Sequence, residues 1–84
     1  MAALNVRILL FAGLRERLRK DKISLVLPEG TPAKKVLRML FKDEGEADRI
    51  GKCLLFAVNE TYVGPDAVLR DGDELALIPP VAGG

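Results

Sequence analysis

Apolar and polar residues alternate along the first segment of the chain, from Leu4 to Phe11. Because successive side chains of a β-strand point to opposite faces of a sheet, this alternation predicts a strand. One face carries Val6, Ile8 and Leu10, and the other carries Arg7, Leu9 and Phe11. Ala12-Gly13 then predicts a turn, and Leu14 to Arg19 has the spacing of one or two helical turns.

Helical spacing is clearest between Gly30 and Lys42. Thr31 is a residue type that caps helix N-termini, and Pro32 suits the first helical position. Apolar side chains then recur at intervals of three and four residues: Ala33, Val36, Leu37, Leu40 and Phe41. This stripe predicts an amphipathic helix that covers a sheet. The polar stretch Asp43 to Lys52 ends it, with a short second helix there as an option.

Short apolar segments predict the remaining strands at Ile23 to Leu27, Leu54 to Val58, Thr61 to Val63 and Glu74 to Ile78. Asn59-Glu60 and Asp71-Gly72 are turn dipeptides. The order β-β-α-β-(β)-β predicts an α+β fold, with a mixed sheet of four to five strands and one main helix packed on one face. We expect the first and last strands, which are the most apolar, to be central and adjacent. Residues 1–78 form the domain, and residues 79–84 form a tail.

Composition excludes several classes of function. Thirteen basic and 12 acidic residues give a net charge of +1, without the basic excess of a nucleic-acid-binding protein. No apolar run is long enough to span a membrane. The chain has no histidine, so it lacks the commonest general base and metal ligand, and we expect no metal site. A single cysteine, Cys53, cannot form an internal disulfide and predicts a cytoplasmic location.

Three further features are given structural interpretations. The basic stretch Arg15 to Lys22 is expected to be a solvated helix, because Glu16 and Asp21 dilute its charge. The acidic residues between Asp43 and Asp48 lack a calcium-loop pattern and predict a solvated loop. Cys53 is expected to pack as a small residue.

The sequence ends in Ile-Pro-Pro-Val-Ala-Gly-Gly, residues 78–84. Pro79 and Pro80 have no N–H to extend a sheet, and they hold the chain extended. Six extended residues reach roughly 20 Å. Gly83 and Gly84 lack Cβ atoms, so they fit a narrow tunnel and leave the terminal carboxylate uncrowded. This pattern suits a terminus on which another protein performs chemistry.

These residues carry a resemblance that covers essentially the whole chain. The segments VRILLFAGLRE, AVNETYV and LRDGDELALIPPVAGG resemble the small subunits of molybdopterin synthase, which are sulfur carriers of the ubiquitin-like β-grasp fold. The helix fits in position and pattern but carries no diagnostic motif. The double proline favours this family over the sulfur carriers of the thiamine pathway, which share the fold and the Gly-Gly end.

The resemblance implies a function in molybdenum cofactor biosynthesis. An E1-like adenylyltransferase would use ATP and Mg²⁺ to adenylate the carboxylate of Gly84, and a persulfide donor would supply sulfur for a thiocarboxylate. The large synthase subunit would then accept the tail, Pro79, Pro80, Val81, Ala82 and Gly83, and sulfur would pass to cyclic pyranopterin monophosphate. The active synthase would be a heterotetramer. This chain would bind no cofactor itself and would catalyse nothing alone.

A docking surface is predicted on the sheet face away from the main helix. Counting in twos places Leu9, Phe11, Tyr62 and Ile78 there, and members of the resembled family bind both partners through this face and the tail. Other functions remain open: a sulfur carrier for thiamine or tRNA thiolation, a ubiquitin-like protein modifier, or a binding module with an inert tail. The identity of the bound partner would separate them.

Overall fold

The computed structural model describes residues 3–80, which form five strands and three helices. In chain order these are β1 (Ala3–Leu10), α1 (Ala12–Leu18), β2 (Lys22–Pro28), α2 (Lys35–Leu40), α3 (Glu44–Cys53), β3 (Leu55–Val58), β4 (Thr61–Val63) and β5 (Glu74–Ile78). No helix in this part of the chain is long and apolar enough to cross a membrane.

The strands form one mixed sheet in the order β2-β1-β5-β3-β4. β1 and β5 are parallel neighbours at its centre, and the other neighbouring pairs are antiparallel. The predicted α+β fold and the central placement of the first and last strands are confirmed. The C-terminal end of β5 therefore leaves the sheet from its middle.

The core lies between one face of the sheet and the helices. Alternate residues of β1 are buried, namely Leu4, Val6, Ile8 and Leu10. The side chains that pack against them from the rest of the chain are also buried: Leu27, Ala33, Val36, Leu37, Phe41, Ala47, Phe56, Leu75 and Leu77. Burying each of the larger side chains contributes about 1.5–3 kcal/mol relative to exposure. The burial of the predicted stripe is confirmed, since Ala33, Val36, Leu37 and Phe41 belong to this core and Leu40 packs against it, but Ala33 and Phe41 lie outside α2.

The start of α2 differs from the prediction. The helix begins at Lys35, whereas the sequence predicted a cap at Thr31. Residues 31–33 instead lie along residues 67–69, with hydrogen bonds from the Ala33 N–H to the Ala67 carbonyl (2.8 Å) and from the Leu69 N–H to the Thr31 carbonyl (3.0 Å). The Thr31 hydroxyl turns back and donates to the Pro28 carbonyl at 2.6 Å. Long-range pairing thus outweighs the local capping signal.

The polar stretch after α2 forms α3, the longest of the three helices. Asp43 caps it by accepting a hydrogen bond from the Glu46 N–H at 3.2 Å. Glu46 pairs with Arg17 of α1, and Asp48 pairs with Arg38 of α2 at 3.2 Å. The option of a second helix in this stretch is confirmed. The expectation of a solvated acidic loop was wrong, because these carboxylates begin a helix and join it to its neighbours.

The turn between β3 and β4 contains backbone strain that can be relieved. Asn59 and Glu60 both have positive φ, 49° and 71°. We expect Glu60→Gly to raise the free energy of unfolding by about 0.5–1 kcal/mol, because glycine adopts this region without a steric penalty. Asn59→Gly is the matched control and should destabilise, because the Asn59 side chain bonds Asp73 and the Glu74 N–H. Urea unfolding of the two variants measures both effects; equal shifts would contradict this account.

Candidate functional site

Two turns lock β5 into the centre of the sheet. Asp71 accepts a hydrogen bond from the Asn5 N–H at 2.7 Å, and the Gly72 N–H donates to the Asn5 carbonyl at 2.8 Å. Asp73 accepts from the Asn59 side chain at 3.0 Å, and Asn59 accepts from the Glu74 N–H at 3.1 Å. Residues in or next to the predicted Asn59-Glu60 and Asp71-Gly72 turns therefore hold the start of β5 from both sides. They fix where β5 begins, and so where the chain beyond Ile78 leaves the sheet.

The tail exit lies at the C-terminal end of β5. Pro79 is half-buried and Pro80 is exposed, and both line a groove of about 410 Å³ beside α1 and α3. Its other walls include Leu14, Arg17, Arg49, Ile50, Cys53 and Leu54. The predicted site residue Gly84 and the tail residues Val81, Ala82 and Gly83 lie outside the described residues.

The sheet face opposite the helices brings the predicted docking residues together. Leu9 pairs with Ala76, Ala76 with Ala57, and Ala57 with Tyr62, which makes one row across four strands. Two alanines thus form the middle of the row, between the larger side chains of Leu9 and Tyr62. A partner side chain could approach the backbone closely there.

A second row borders the tail exit. Ile78 pairs with Leu55, and the alternation of β1 continues through the extended residue Phe11 to the same face. Tyr62 is 70% exposed, Leu55 50% and Phe11 42%, whereas Leu9 and Ile78 are half-buried. We call Leu9, Phe11, Leu55, Tyr62 and Ile78 the docking face. Large apolar side chains clustered in this way are typical of interaction surfaces.

Leu55 was missed by the sequence analysis, although a signal for it existed. Period-two counting from Ala57, which faces Tyr62, reaches Leu55 two residues earlier. The edge of the docking face is polar: Arg7 and Glu74 lie on the same face with side-chain atoms 3.6 Å apart. An apolar centre with a charged rim is the usual arrangement of a protein interface.

The interpretation of Cys53 as a packed residue was wrong. Cys53 is exposed at the C-terminal end of α3, where it lines the groove beside Pro79 and Pro80. The inward stripe of this region follows Ala47, Ile50 and Leu54 at spacings of three and four, and Cys53 lies off that stripe.

The basic stretch of α1 contacts neighbouring elements through Arg17. The Cζ atom of Arg17 lies 5.0 Å from the ring centroid of Phe41, and its guanidinium also pairs with Glu46.

No cluster of three or more potential metal-ligating His, Cys, Asp or Glu side chains occurs between Ala3 and Pro80. In the same span, no side-chain nitrogen or oxygen is buried without a hydrogen-bond partner. An apolar sheet face lies beside Ile78, the last residue of β5, from which Pro79 and Pro80 continue. The mixed five-stranded sheet covered by helices defines a ubiquitin-like β-grasp domain with a candidate docking surface next to its last strand.

Comparison with known proteins agrees with this class. The sequence profile of the ThiS family matches residues 8–84. The molybdopterin synthase sulfur carrier subunit of Arabidopsis thaliana is 32% identical over 83 residues, covering 99% of this chain and 86% of the relative. The chain belongs to the ThiS family, and its curated relatives place it among the molybdopterin synthase sulfur carrier subunits.

Solved structures show the same fold. The putative molybdopterin converting factor subunit 1 of Pyrococcus furiosus superposes with a TM-score of 0.74 at 27% identity, covering 93% of this chain and 99% of that one. A chain from the complex of subunits 1 and 2 of the Helicobacter pylori molybdopterin-converting factor gives 0.61 at 23% identity, covering 96% and 100%. The second likeness supports the fold alone.

Proposed function

We propose that this chain carries sulfur as a thiocarboxylate on Gly84 and donates it within molybdopterin synthase. The family match supports the proposal most directly, because it extends through the tail to residue 84. Pro79 and Pro80 follow directly after Ile78, a residue of the docking face, and this connection adds a physical reason. A partner that binds this face would hold the tail close to its own active site.

The proposed chemistry begins with an unreactive group, since a carboxylate is a poor electrophile. An E1-like adenylyltransferase with ATP and Mg²⁺ would join the Gly84 carboxylate to AMP and release pyrophosphate. A persulfide donor would then attack the carbonyl carbon, so that a C–S bond forms, the C–O bond to AMP breaks and AMP leaves. Reductive cleavage of the S–S bond by a thiol would leave the thiocarboxylate on Gly84.

The proposed acceptor is cyclic pyranopterin monophosphate, bound by the large synthase subunit. The Helicobacter pylori complex joins subunits 1 and 2 of a molybdopterin-converting factor. We propose the same pairing here, through the docking face and the tail, in a heterotetramer with two copies of each subunit. Two transfers would supply the two sulfurs of the dithiolene.

This chain contributes positioning to the proposed reaction. It contains no histidine, and we assign it no acid, base or ATP site. Docking would bring the thiocarboxylate and the pterin into one complex. The reaction between them would then be effectively unimolecular and would not depend on a collision in solution. We place the protein in the cytoplasm, because its single cysteine, Cys53, cannot form an internal disulfide.

Reconstitution tests the proposed pathway. The thiocarboxylated chain, a molybdopterin synthase large subunit and cyclic pyranopterin monophosphate should give molybdopterin, detected as its fluorescent oxidation product. The unmodified chain is the matched control and should give none. Failure with a large subunit that is active with its own carrier would contradict this assignment and would favour thiamine or tRNA thiolation, or protein modification.

A further inference from the structure

The strand β2 lies at the edge of the sheet. It has seven residues, and within residues 3–80 it has a hydrogen-bonded neighbour, β1, on one side only. Such an edge presents free N–H and carbonyl groups to any strand that can align with it. Val26, near its middle, is 62% exposed.

The hydrogen-bond pattern shows which groups point outward. The Leu10 N–H donates to the Asp21 carbonyl at 2.9 Å, so even-numbered residues of β1 direct their backbone groups toward β2. Ile8 pairs with Ile23 and Val6 with Leu25, so these β2 residues bond inward. Lys22, Ser24 and Val26 therefore direct their N–H and carbonyl groups away from the sheet.

We propose that a second copy of this chain pairs with this edge, β2 against β2, in antiparallel orientation about a two-fold axis at Ser24. This register opposes Ser24 to Ser24 and Lys22 to Val26 of the second copy. Each of the three outward residues then exchanges both backbone hydrogen bonds with its opposite residue.

Side chains on both faces fit this register. On the helix side, Ile23 opposes Leu25 of the second copy, and both are half-buried in the single chain. On the other side, the exposed Val26 meets the alkyl stem of Lys22. Cross-strand apolar pairs of this kind stabilise sheets.

Neighbouring registers are less favourable. Moving the axis to Lys22 would place two lysines directly opposite each other, which is destabilising. Moving it toward Val26 would bring Pro28 into the pairing, and proline has no N–H to donate. The strand is therefore self-complementary about Ser24.

The dimer would leave the docking face accessible. β2 lies at the opposite edge of the sheet from β4, and the docking face extends from β1 to β4. A two-fold axis at Ser24 runs perpendicular to the sheet, so both docking faces would lie on the same side of a ten-stranded sheet. Partner binding and self-association would therefore be compatible.

Sedimentation velocity of the full chain at increasing concentration tests the proposal. We expect monomer and dimer to be in equilibrium, with the dimer detectable as the concentration approaches about 1 mM, because a small interface gives a weak dissociation constant. Ser24→Pro removes an outward N–H and should abolish the dimer, whereas Ser24→Ala keeps the N–H and should retain it. Proline is tolerated on an edge strand where its nitrogen faces solvent.

A second variant tests the dimer in case Ser24→Pro does not fold. Val26→Lys changes an exposed side chain and places a lysine opposite Lys22 of the second copy. The dissociation constant of the dimer should therefore rise at least tenfold. A chain that stays monomeric at about 1 mM would overturn the proposal. So would a dimer that survives both substitutions but is lost in Leu55→Glu, because that dimer would form through the docking face. Neither result depends on sulfur transfer.

Discussion

Removal of Gly84 is expected to abolish sulfur transfer and to leave the fold of residues 3–80 intact. The last core residue of β5 is Leu77, and the sheet pairing ends at Ile78, so no described contact of the core depends on the tip. Without Gly84, the carboxylate belongs to Gly83 and lies one residue short of the site where chemistry occurs. Molybdopterin formation should fall to background in the reconstituted synthase, while the thermal unfolding temperature is unchanged.

Deletion of Ala82 is the matched control for this experiment. It shortens the tail by the same length but keeps the Gly-Gly end. If the end group itself is required for activation, this variant should still be adenylated by the activating enzyme, although its reach into the synthase is reduced. Normal molybdopterin formation by the chain that lacks Gly84 would contradict the assignment of Gly84 as the sulfur-carrying residue.

A charge on the docking face is expected to have the second largest effect. Leu55 lies beside Ile78 at the tail exit and is 50% exposed. Leu55→Glu would place a carboxylate on the face through which we propose that the large subunit binds. We expect the dissociation constant for the large subunit to rise at least about 30-fold, which corresponds to about 2 kcal/mol and is typical of a central interface residue. Titration calorimetry measures it.

Met39→Glu is the matched control, because Met39 is 51% exposed but lies on α2, on the opposite side of the sheet. The affinity of the Met39→Glu variant for the large subunit should equal that of the unsubstituted chain. Phe11→Glu, at the other end of the same row, should weaken binding in the same way as Leu55→Glu. Equal affinities of the Leu55→Glu and Met39→Glu variants would exclude this face as the interface.

The strands could be predicted from the sequence because their signal is local. Alternation in β1 and β5 reports which side chains face the core, and both strands were placed within a residue of their observed bounds. The same counting placed Leu9, Phe11, Tyr62 and Ile78 on one face. The register that aligns them across four strands was not predictable, because it depends on hydrogen bonds between segments distant in the chain.

The helices were predicted less well for a physical reason. Thr31 and Pro32 carry a strong local signal for a helix start, but residues 31–33 gain more from pairing with residues 67–69. The ten residues of α3 have few apolar side chains, and their contacts with α1 and α2 are partly ionic. Such pairs cannot be recognised until the helices are placed side by side.

The intact mass of the full chain, measured after incubation with an E1-like activating enzyme, Mg-ATP and a persulfide donor, tests the central claim most directly. We predict a gain that equals the exchange of one oxygen for one sulfur, located at Gly84 by fragmentation and absent when Gly84 is deleted. An unchanged mass would contradict the claim if the same enzyme converts its own carrier under the same conditions.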